Sequence, residues 1–503
     1  MRQLRTLRTI TTSTLVGSLL WGIGLCPIGV QKNAPIGWLG SYAWAYIPGE
    51  SQQQQQSEAR ALLLQGAEQF EQKEFTQAIQ SWEAARLLYQ RLGDADGELS
   101  TLVNLGLVTG VIGQYEQAQV QFKAALALAQ TQGNPLVEAQ TLSQLGTVYG
   151  QLGQHGDAIA SIRQSLLLRA QHGGPPLDSS TLMDLGNAYQ GQGEYPNALA
   201  AYQQAQKAAA IEQNTVQELS AWIQVGNSYE ILGNYGAALT VYETALAIAQ
   251  ETRNPQAEGT ALGSLGNVFT LLGQSDAALE AYGQALSLQQ SIGDRPSALI
   301  TQINLGRLYY ETQDTNQALL QLNTALNVSR ELGDRLSEAN ALNLLGQIFR
   351  TQGSETAAVD LFQQALALYQ DRIDYRGEVS ALANLGQTAE AFGNPVAALQ
   401  WFQQALPLAQ SIGDRAITAK LLRAMGEVER NQGNVDGAIA YYEQVIDLGD
   451  AMARRVDSLS PDQQSIFLET FSADYHILAE LLEESDRPEA AAAILERLQR
   501  KIQ

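Results

Sequence analysis

The sequence predicts an all-α fold, a solenoid of stacked helix pairs, and three columns of residues carry this prediction. A glycine recurs every 40 residues in strict register, at Gly66, Gly106, Gly146, Gly186, Gly226, Gly266, Gly306, Gly346, Gly386 and Gly426. Twelve residues after each glycine stands an alanine, at Ala78, Ala118, Ala158, Ala198, Ala238, Ala278, Ala318, Ala358, Ala398 and Ala438. Four residues further, the side chain is large and apolar, at Trp82, Phe122, Ile162, Tyr202, Tyr242, Tyr282, Leu322, Phe362, Phe402 and Tyr442. A fixed period of this length indicates a repeat architecture with one supersecondary unit per period.

Each period carries the start and stop signals of two helices. The first helix should follow an N-cap residue whose side-chain oxygen accepts a free backbone N–H, at Asp94, Asn134, Asn214, Asn254, Asp294, Asp334, Asp374 and Asp414, with Gly174 as the exception. An acidic residue four positions later suits the helix dipole, at Glu98, Glu138, Asp178, Glu218, Glu258, Glu338 and Glu378. A glycine then ends the helix in the left-handed conformation, at Gly113, Gly153, Gly193, Gly233, Gly273, Gly353, Gly393 and Gly433. The second helix follows, for example over residues 115–130 and 235–250.

The chemistry of the columns explains why such pairs should stack. Glycine and alanine allow two helix backbones to approach closely, and the large apolar residue is expected to fill the space against the next repeat. No helix pair can bury its apolar faces alone, so the array is stable only when its units stack.

The pattern resembles that of tetratricopeptide repeats (TPRs), in segments such as LSQLGTVYGQLGQHGDAIASIRQSL and WIQVGNSYEILGNYGAALTVYETAL. The usual TPR period is about 34 residues, and the longer period found here is similar to that of kinesin light chains and LGN-type adaptors. The resemblance covers residues 58–449 as ten repeats and implies a right-handed superhelix of antiparallel helix pairs. The pattern is broken at Thr109, Gln313, Ala389 and Glu429, which predicts looser packing in those repeats.

The first 45 residues have the composition of an export signal. They begin with three arginines, Arg2, Arg5 and Arg8, followed by the uncharged stretch 9–30. Ala43 and Ala45 then provide the small residues of a cleavage site. We therefore expect residues 1–45 to be a signal peptide cleaved after Ala45 or, alternatively, an uncleaved N-terminal membrane anchor.

This signal predicts an exported protein, located in the periplasm or another extracytoplasmic compartment. Residues 46–57, which include the run SQQQQQS, are expected to form a polar linker. Cys26 is the single cysteine of the chain, so an internal disulfide is excluded.

Residues 450–503 leave the register and are predicted to form a helical C-terminal cap, a degenerate eleventh repeat. Ser460 and Pro461, with Gln463 as the partner of a capping box, predict a helix start. The segment also resembles the helical stretch that follows the TPR array in TPR–CHAT proteins, in which a caspase-like CHAT domain comes next. This resemblance implies an alternative function, that of a sensor or regulatory module of a CHAT-type protease-like system lacking the CHAT domain.

Composition argues against several classes of function. Lys and Arg number 30 against 52 Asp and Glu, a net charge of -22, and such a surface repels nucleic-acid phosphates. The three histidines, His155, His172 and His476, have no metal-ligand spacing, and neither a Cys–His pair nor a phosphate-binding loop is available. We therefore predict that the protein is not an enzyme and has no catalytic residue, no metal ligand and no cofactor.

The candidate binding surface is the concave face, which in TPR proteins is lined by the first helix of each pair. Two polar columns next to the repeated glycine are expected there, and they supply the predicted peptide-binding residues Asn104, Asn187, Asn227, Asn267, Asn304, Arg307, Gln347, Asn384 and Gln387. Amide side chains both donate and accept hydrogen bonds, so they can pair with an extended peptide backbone. The alternative is that they are polar groove residues without a binding role. A carboxylate clamp needs several Lys and Arg, of which only Arg307 is present.

Four basic residues of the later repeats either form a patch for an acidic partner or are scattered solvated charges, namely Arg350, Lys420, Arg423 and Arg430.

The first functional hypothesis is an exported scaffold or adaptor whose groove binds a protein or peptide partner during assembly of an envelope or membrane complex. It would contact the membrane only through its N-terminal segment. A third hypothesis, an intracellular peptide-pheromone receptor, conflicts with the export signal.

Overall fold

The computed structural model describes residues 51–174, 176–453 and 461–502, and these residues form helices and turns without a strand. The predicted all-α class, a TPR-type solenoid, is confirmed. The predicted signal segment 1–45 lies outside the described residues, as does the first part of the predicted linker. Within the described part of the chain, every helix is too short or too polar to cross a membrane.

The described residues divide into two compact units, with the boundary between Thr252 and Arg253, and each unit is made of helix pairs. The helices of the first unit are α1 (Gln52–Glu71), α2 (Phe75–Leu92), α3 (Ala95–Val111), α4 (Tyr115–Gln132), α5 (Pro135–Gln151), α6 (His155–His172), α7 (Ser179–Gly191), α8 (Tyr195–Ile211), α9 (Thr215–Ile231) and α10 (Tyr235–Glu251). In each pair the odd-numbered helix comes first in the chain. We call the odd-numbered helices first helices and the even-numbered ones second helices.

The second unit continues the same alternation of first and second helices. Its helices are α11 (Pro255–Leu271), α12 (Ser275–Ser291), α13 (Arg295–Glu311), α14 (Thr315–Leu332), α15 (Arg335–Thr351), α16 (Glu355–Arg372), α17 (Tyr375–Ala391), α18 (Pro395–Ser411), α19 (Arg415–Asn431), α20 (Val435–Ala453), α21 (Pro461–Glu484) and α22 (Pro488–Ile502). Within each unit the first helices of neighbouring repeats also contact one another, for example α5 with α7 and α13 with α15.

The predicted N-caps are confirmed at all eight positions, where the side-chain oxygen accepts the backbone N–H three residues on at 2.9 to 3.3 Å. The assignment of Asp178 to a first helical turn is wrong. Gly174, in the N-cap column, has no side-chain oxygen, so α7 begins later and Asp178 is its cap, accepting from the backbone N–H of Thr181 at 2.8 Å.

The predicted linker over residues 46–57 is wrong from Gln52 onward, because α1 begins there. Ser51 Oγ accepts the backbone N–H of Gln54 at 3.2 Å, and the following glutamines are good helix formers.

The glycines predicted to end the first helices have φ between 70° and 79°, as the left-handed conformation requires. Gln313 replaces the glycine after α13 and still adopts φ 64°, so the turn keeps its form. Ile373, which ends the second helix α16, also has a positive φ, of 56°, and this conformation is more costly for it. A β-branched side chain is strongly disfavoured in this region of backbone space.

The repeated glycine makes room for the large side chain sixteen residues later, which packs directly on the glycine backbone. We call this contact the glycine seat. A Cβ on any of the ten glycines would lie 2.3 to 2.8 Å from that side chain. The same side chain reaches the next first helix, since Phe122 clusters with Leu145 and Val148 of α5. Within a unit this side chain therefore fills the space toward the next repeat as expected, and it also covers the backbone of its own first helix.

The last helix pair, α21 and α22, closes the second unit. Leu478 and Leu481 pack on Tyr442 of α20. Arg423 of α19 forms two hydrogen bonds with the carboxylate of Asp474, at 2.7 and 2.8 Å, and Asp474 is only 2% exposed.

Two of the four basic residues considered as a patch or as scattered charges, Arg423 and Arg430, lie next to carboxylates of α21. Arg423 is neutralised by Asp474, and Arg430 lies 3.4 Å from Glu480 and 3.6 Å from Glu484. Carboxylates of α21 therefore neutralise two of the four basic side chains.

A buried carboxylate links two first helices of the first unit. Thr147 Oγ1 of α5 donates to Asp184 Oδ2 of α7 at 2.7 Å. Burial raises the pKa of Asp184 from 3.8 to about 6, and the Thr147 hydrogen bond only partly opposes this effect. The ionised form of Asp184 is therefore destabilising in the folded protein.

The glycine seat can be tested within one repeat by comparing Gly266→Ala and Gly283→Ala. The first places a Cβ 2.6 Å from the ring of Tyr282, and we expect it to destabilise the unit by about 1–3 kcal/mol. The second has open space around a mid-helix glycine of α12 and should stabilise by up to about 1 kcal/mol. Thermal unfolding and amide hydrogen exchange in α11 and α12 measure the stability change of each variant. If both variants were stabilised or both destabilised, the proposed role of Gly266 in the glycine seat would be contradicted.

Asp184→Asn should change how stability depends on pH. Because the folded pKa of Asp184 lies above the unfolded value, wild-type stability falls as the pH rises from about 4 to about 6. The variant should therefore be more stable above pH 6, on the order of 2 kcal/mol, and the difference should vanish near pH 4. Urea unfolding across this range is the measurement. Asp157→Asn, at an exposed position of α6, is the control, and identical profiles for the two variants would refute the effect.

Candidate functional site

All nine predicted peptide-binding residues lie on first helices. Asn104 is on α3, Asn187 on α7 and Asn227 on α9 in the first unit. The second unit carries the other six, Asn267 on α11, Asn304 and Arg307 on α13, Gln347 on α15, and Asn384 and Gln387 on α17. Because first helices contact one another within each unit, these side chains share one face of that unit.

Three of the asparagines hold buried tyrosines of their own repeats. The hydroxyl of Tyr202 donates to Asn187 Oδ1 at 2.8 Å and that of Tyr242 to Asn227 Oδ1 at 2.6 Å. The hydroxyl of Tyr282 donates to Asn267 Oδ1 at 2.7 Å. The oxygens of these amides are therefore used inside the fold.

Sequence reasoning missed this pairing, although the columns contain a signal for it. Asparagine follows the repeated glycine only in the repeats whose large apolar residue is Tyr202, Tyr242 or Tyr282. A buried hydroxyl needs a hydrogen-bond partner, and asparagine at this position supplies one. Of the four repeats with a tyrosine in that column, only the one with Tyr442 lacks the asparagine and has Glu427 instead.

A second group of predicted residues links neighbouring repeats of the second unit. Asn304 Nδ2 donates to Asn267 Oδ1 at 3.1 Å. Asn384, only 8% exposed, donates through Nδ2 to Asn343 Oδ1 at 2.9 Å. Gln387 Oε1 accepts a hydrogen bond from the guanidinium of Arg350. These residues stabilise the stacking of the first helices.

Three predicted residues form neither a hydrogen bond nor an ion pair within the described ranges 51–174, 176–453 and 461–502. They are Asn104 in the first unit and Arg307 and Gln347 in the second. Arg307 is exposed and Gln347 is half-buried.

Arg307 and Gln347 line the same pocket, of about 430 Å³, in the second unit. Three successive first helices and the end of one second helix build it, with the lining residues Arg307, Tyr310, Glu311, Asn340, Asn343, Leu344, Gln347, Tyr369, Asp374, Arg376, Gly377 and Ser380. Of these, sequence analysis had singled out only Arg307 and Gln347 as binding residues. Asn340, Asn343 and Gln347 lie at positions i, i+3 and i+7 of α15, which places them along one side of that helix.

Tyr369 forms the floor of the pocket. Its ring is 2% exposed, and its hydroxyl donates to Asn340 Oδ1 at 2.7 Å. A Cβ on Gly377 would lie 2.2 Å from the ring, so only glycine allows Tyr369 to occupy this place. Burial raises the pKa of Tyr369, the charge of Asp374 adds to the shift and Arg307 opposes it, so the hydroxyl stays protonated as a donor.

Most other polar groups of the pocket already have partners. Arg376 forms an ion pair with Asp414 at 2.8 Å, and Asp374 accepts the backbone N–H of Gly377 at 3.1 Å. Asn343 Nδ2 donates to Ser380 Oγ at 3.1 Å. Arg307, Gln347 and the Nδ2 of Asn340 remain available to a ligand, so the pocket is equipped to bind hydrogen-bond acceptors. Among the described residues, no cluster of His, Cys, Asp and Glu could hold a metal ion.

The sequence was compared with the profiles of known protein families to test the predicted membership in the TPR family. The sequence profile of the tetratricopeptide repeat matches residues 137–210, 217–291, 260–331, 297–371 and 377–450, which together span more than half of the chain. No curated protein matches the sequence.

Solved structures share the fold at low sequence identity. The apo form of the quorum sensor NprR from B. thuringiensis has a TM-score of 0.50 and 12% identity, over 78% of this chain and 99% of that chain. The apo form of RapI has a TM-score of 0.50 and 15% identity, over 71% of this chain and 98% of that chain.

A putative kinesin light chain with TPR-like repeats from Podosopora anserina has a TM-score of 0.34 and 19% identity, over 39% of this chain and 96% of that chain. The match of the repeat profile over more than half of the chain confirms the resemblance to TPR arrays stated from the sequence. The register of the repeats, the stacked helix pairs and the profile match lead to one conclusion: this chain belongs to the tetratricopeptide repeat family.

Proposed function

We propose that this protein is an exported scaffold or adaptor that holds an extended segment of a partner protein against the first helices of its second unit, during assembly of an envelope or membrane complex. The tetratricopeptide repeat fold is itself an interaction scaffold and is typically non-catalytic. The finer proposal, with its compartment and its binding pocket, rests on the arguments that follow.

The unused polar groups around Arg307 are the observation that carries the proposal. Elsewhere on this face the amides hold tyrosine hydroxyls or link repeats, as Asn267 and Asn384 do. In the pocket, Arg307 and Gln347 are left without a partner, next to the Nδ2 of Asn340. An extended segment presents backbone C=O and N–H groups, which a glutamine can pair with from both ends of its amide.

The N-terminal sequence supports the choice of compartment. Its three arginines, its uncharged stretch and the pair Ala43 and Ala45 follow the order of a secretory signal.

The binding proposal is tested by photo-crosslinking in cells, with a photoreactive amino acid in place of Gln347. We expect a crosslinked partner in the wild-type background and a loss of roughly tenfold with Arg307→Glu, because the variant reverses the charge at the pocket rim. Lys207→Glu makes the same charge change at an exposed position of α8 and should leave the yield unchanged. Equal yields for Arg307→Glu and the wild type would argue against the pocket.

Export is tested separately by fractionation and N-terminal sequencing. We expect the mature protein in the extracytoplasmic fraction with Tyr46 as its first residue, and retention in the cytosol when residues 2–45 are deleted. Full-length protein in the membrane fraction would identify the segment as an uncleaved anchor. Full-length protein with an intact N-terminus in the soluble cytosol would contradict export and leave the binding proposal untouched.

A further inference from the structure

We propose that the pocket selects a carboxylate-bearing side chain of the bound segment over the corresponding amide, and that Tyr369 is the positioning residue that sets this selectivity. The inference rests on the proposed function, since it concerns the same pocket. It assigns the ligand group as the side chain of an aspartate or glutamate within the partner's segment.

The first step is the orientation of Asn340. An asparagine side chain carries one acceptor end and one donor end, and it can present either to a ligand when it is free to turn. The hydroxyl of Tyr369 donates to Asn340 Oδ1 at 2.7 Å, which leaves Nδ2 for the pocket. Tyr369 is itself buried and held in the space above Gly377, so this orientation is fixed by packing.

The second step is that the neighbouring groups offer donors as well. Asn343 is held at both ends, since its Nδ2 donates to Ser380 Oγ and its Oδ1 accepts from Asn384. Arg307 has donors only. Of the pocket's three amides, only that of Gln347 can still turn to present its oxygen. A ligand carboxylate only accepts hydrogen bonds, so it suits the donors of Asn340 and Arg307. A ligand amide also brings two N–H donors, for which the pocket offers few acceptors.

The third step is the balance of charge. Arg376 is paired with Asp414, and Asp374 caps α17, so Arg307 and Glu311 are the charged side chains of the pocket without such a partner. Glu311 is exposed, one turn from Arg307 on α13, and it opposes an anionic ligand without blocking the pocket. Replacing Glu311 by glutamine should therefore strengthen the binding of a carboxylate.

The surroundings of the pocket favour a side chain over a chain terminus. The pocket spans three successive first helices, from Arg307 on α13 to Arg376 on α17, so a segment that lies across these helices meets the pocket along its length. A single free guanidinium, that of Arg307, matches one side-chain carboxylate.

The first unit contains a matched control for Tyr369. Tyr89 lies over Gly97 as Tyr369 lies over Gly377, since a Cβ on Gly97 would also lie 2.2 Å from the ring. Seven periods before Asn340 stands Arg60, so the amide that Tyr369 orients has no counterpart. Tyr89→Phe and Tyr369→Phe therefore make the same chemical change in the same packing, but only the second releases an amide in the pocket.

The experiment is saturation-transfer NMR on the full chain with capped pentapeptides, Ac-Gly-Ala-Glu-Ala-Gly-NH₂ and its glutamine analogue, and with the glutamine analogue bearing a free C-terminus. We expect the wild type to bind the glutamate peptide roughly tenfold more tightly than the capped glutamine peptide, the ratio expected for hydrogen bonds to a charged group. Tyr369→Phe should bring this ratio close to one, whereas Tyr89→Phe should preserve it. Glu311→Gln should tighten glutamate binding severalfold, and Arg307→Gln should weaken it.

Several results would overturn the inference. Equal affinities for the two capped peptides would show that the pocket has no selectivity for a carboxylate. An unchanged affinity ratio in folded Tyr369→Phe would show that Tyr369 does not set the selectivity. The proposed function would survive either result. Tighter binding of the peptide with the free C-terminus than of the glutamate peptide would overturn the assignment to a side chain. If every peptide failed to bind the wild type, the pocket would not be a peptide site and the proposed function itself would be contradicted.

Discussion

The contact of a large side chain with a glycine backbone is the interaction on which the whole array depends. In each of the ten repeats the second helix places a ring or branched side chain where a Cβ of the first helix would otherwise be, and within a unit such a side chain also reaches the next repeat, as Phe122 does. Because this contact recurs every 40 residues, the first helices of one unit meet in a constant register and their polar columns align. The pocket uses the device once more, with Tyr369 over Gly377, at a place where the ring reaches the binding face.

The polar groups of that face divide between holding the array together and meeting a ligand. A tyrosine in the glycine seat brings a hydroxyl into the interior, and Asn187, Asn227 and Asn267 satisfy it. An amide-lined column is therefore not by itself a binding signature. What distinguishes the pocket is that it brings together two such side chains, Arg307 and Gln347, that are left over after the framework's hydrogen bonds have been formed.

Local signals in the sequence predicted most of the fold, since caps, glycine turns and packing columns act within one period. Where two local signals competed, the boundary moved: α7 starts at Ser179 because Asp178 caps it, and α1 starts at Gln52 because Ser51 does. The site was less predictable because its contacts join residues far apart in the chain. Tyr369 meets Asn340 across 29 positions and Arg423 meets Asp474 across 51, and no periodic pattern indicates either pairing.

The isoleucine that ends α16 places backbone strain next to the pocket. Placing an L-residue other than glycine in the left-handed region costs on the order of 1–2 kcal/mol, and Ile373 adds a β-branch at φ 56°. Tyr369 belongs to the last turn of α16, the turn that Ile373 ends. The side chain that orients Asn340 therefore lies within one helical turn of a strained backbone position.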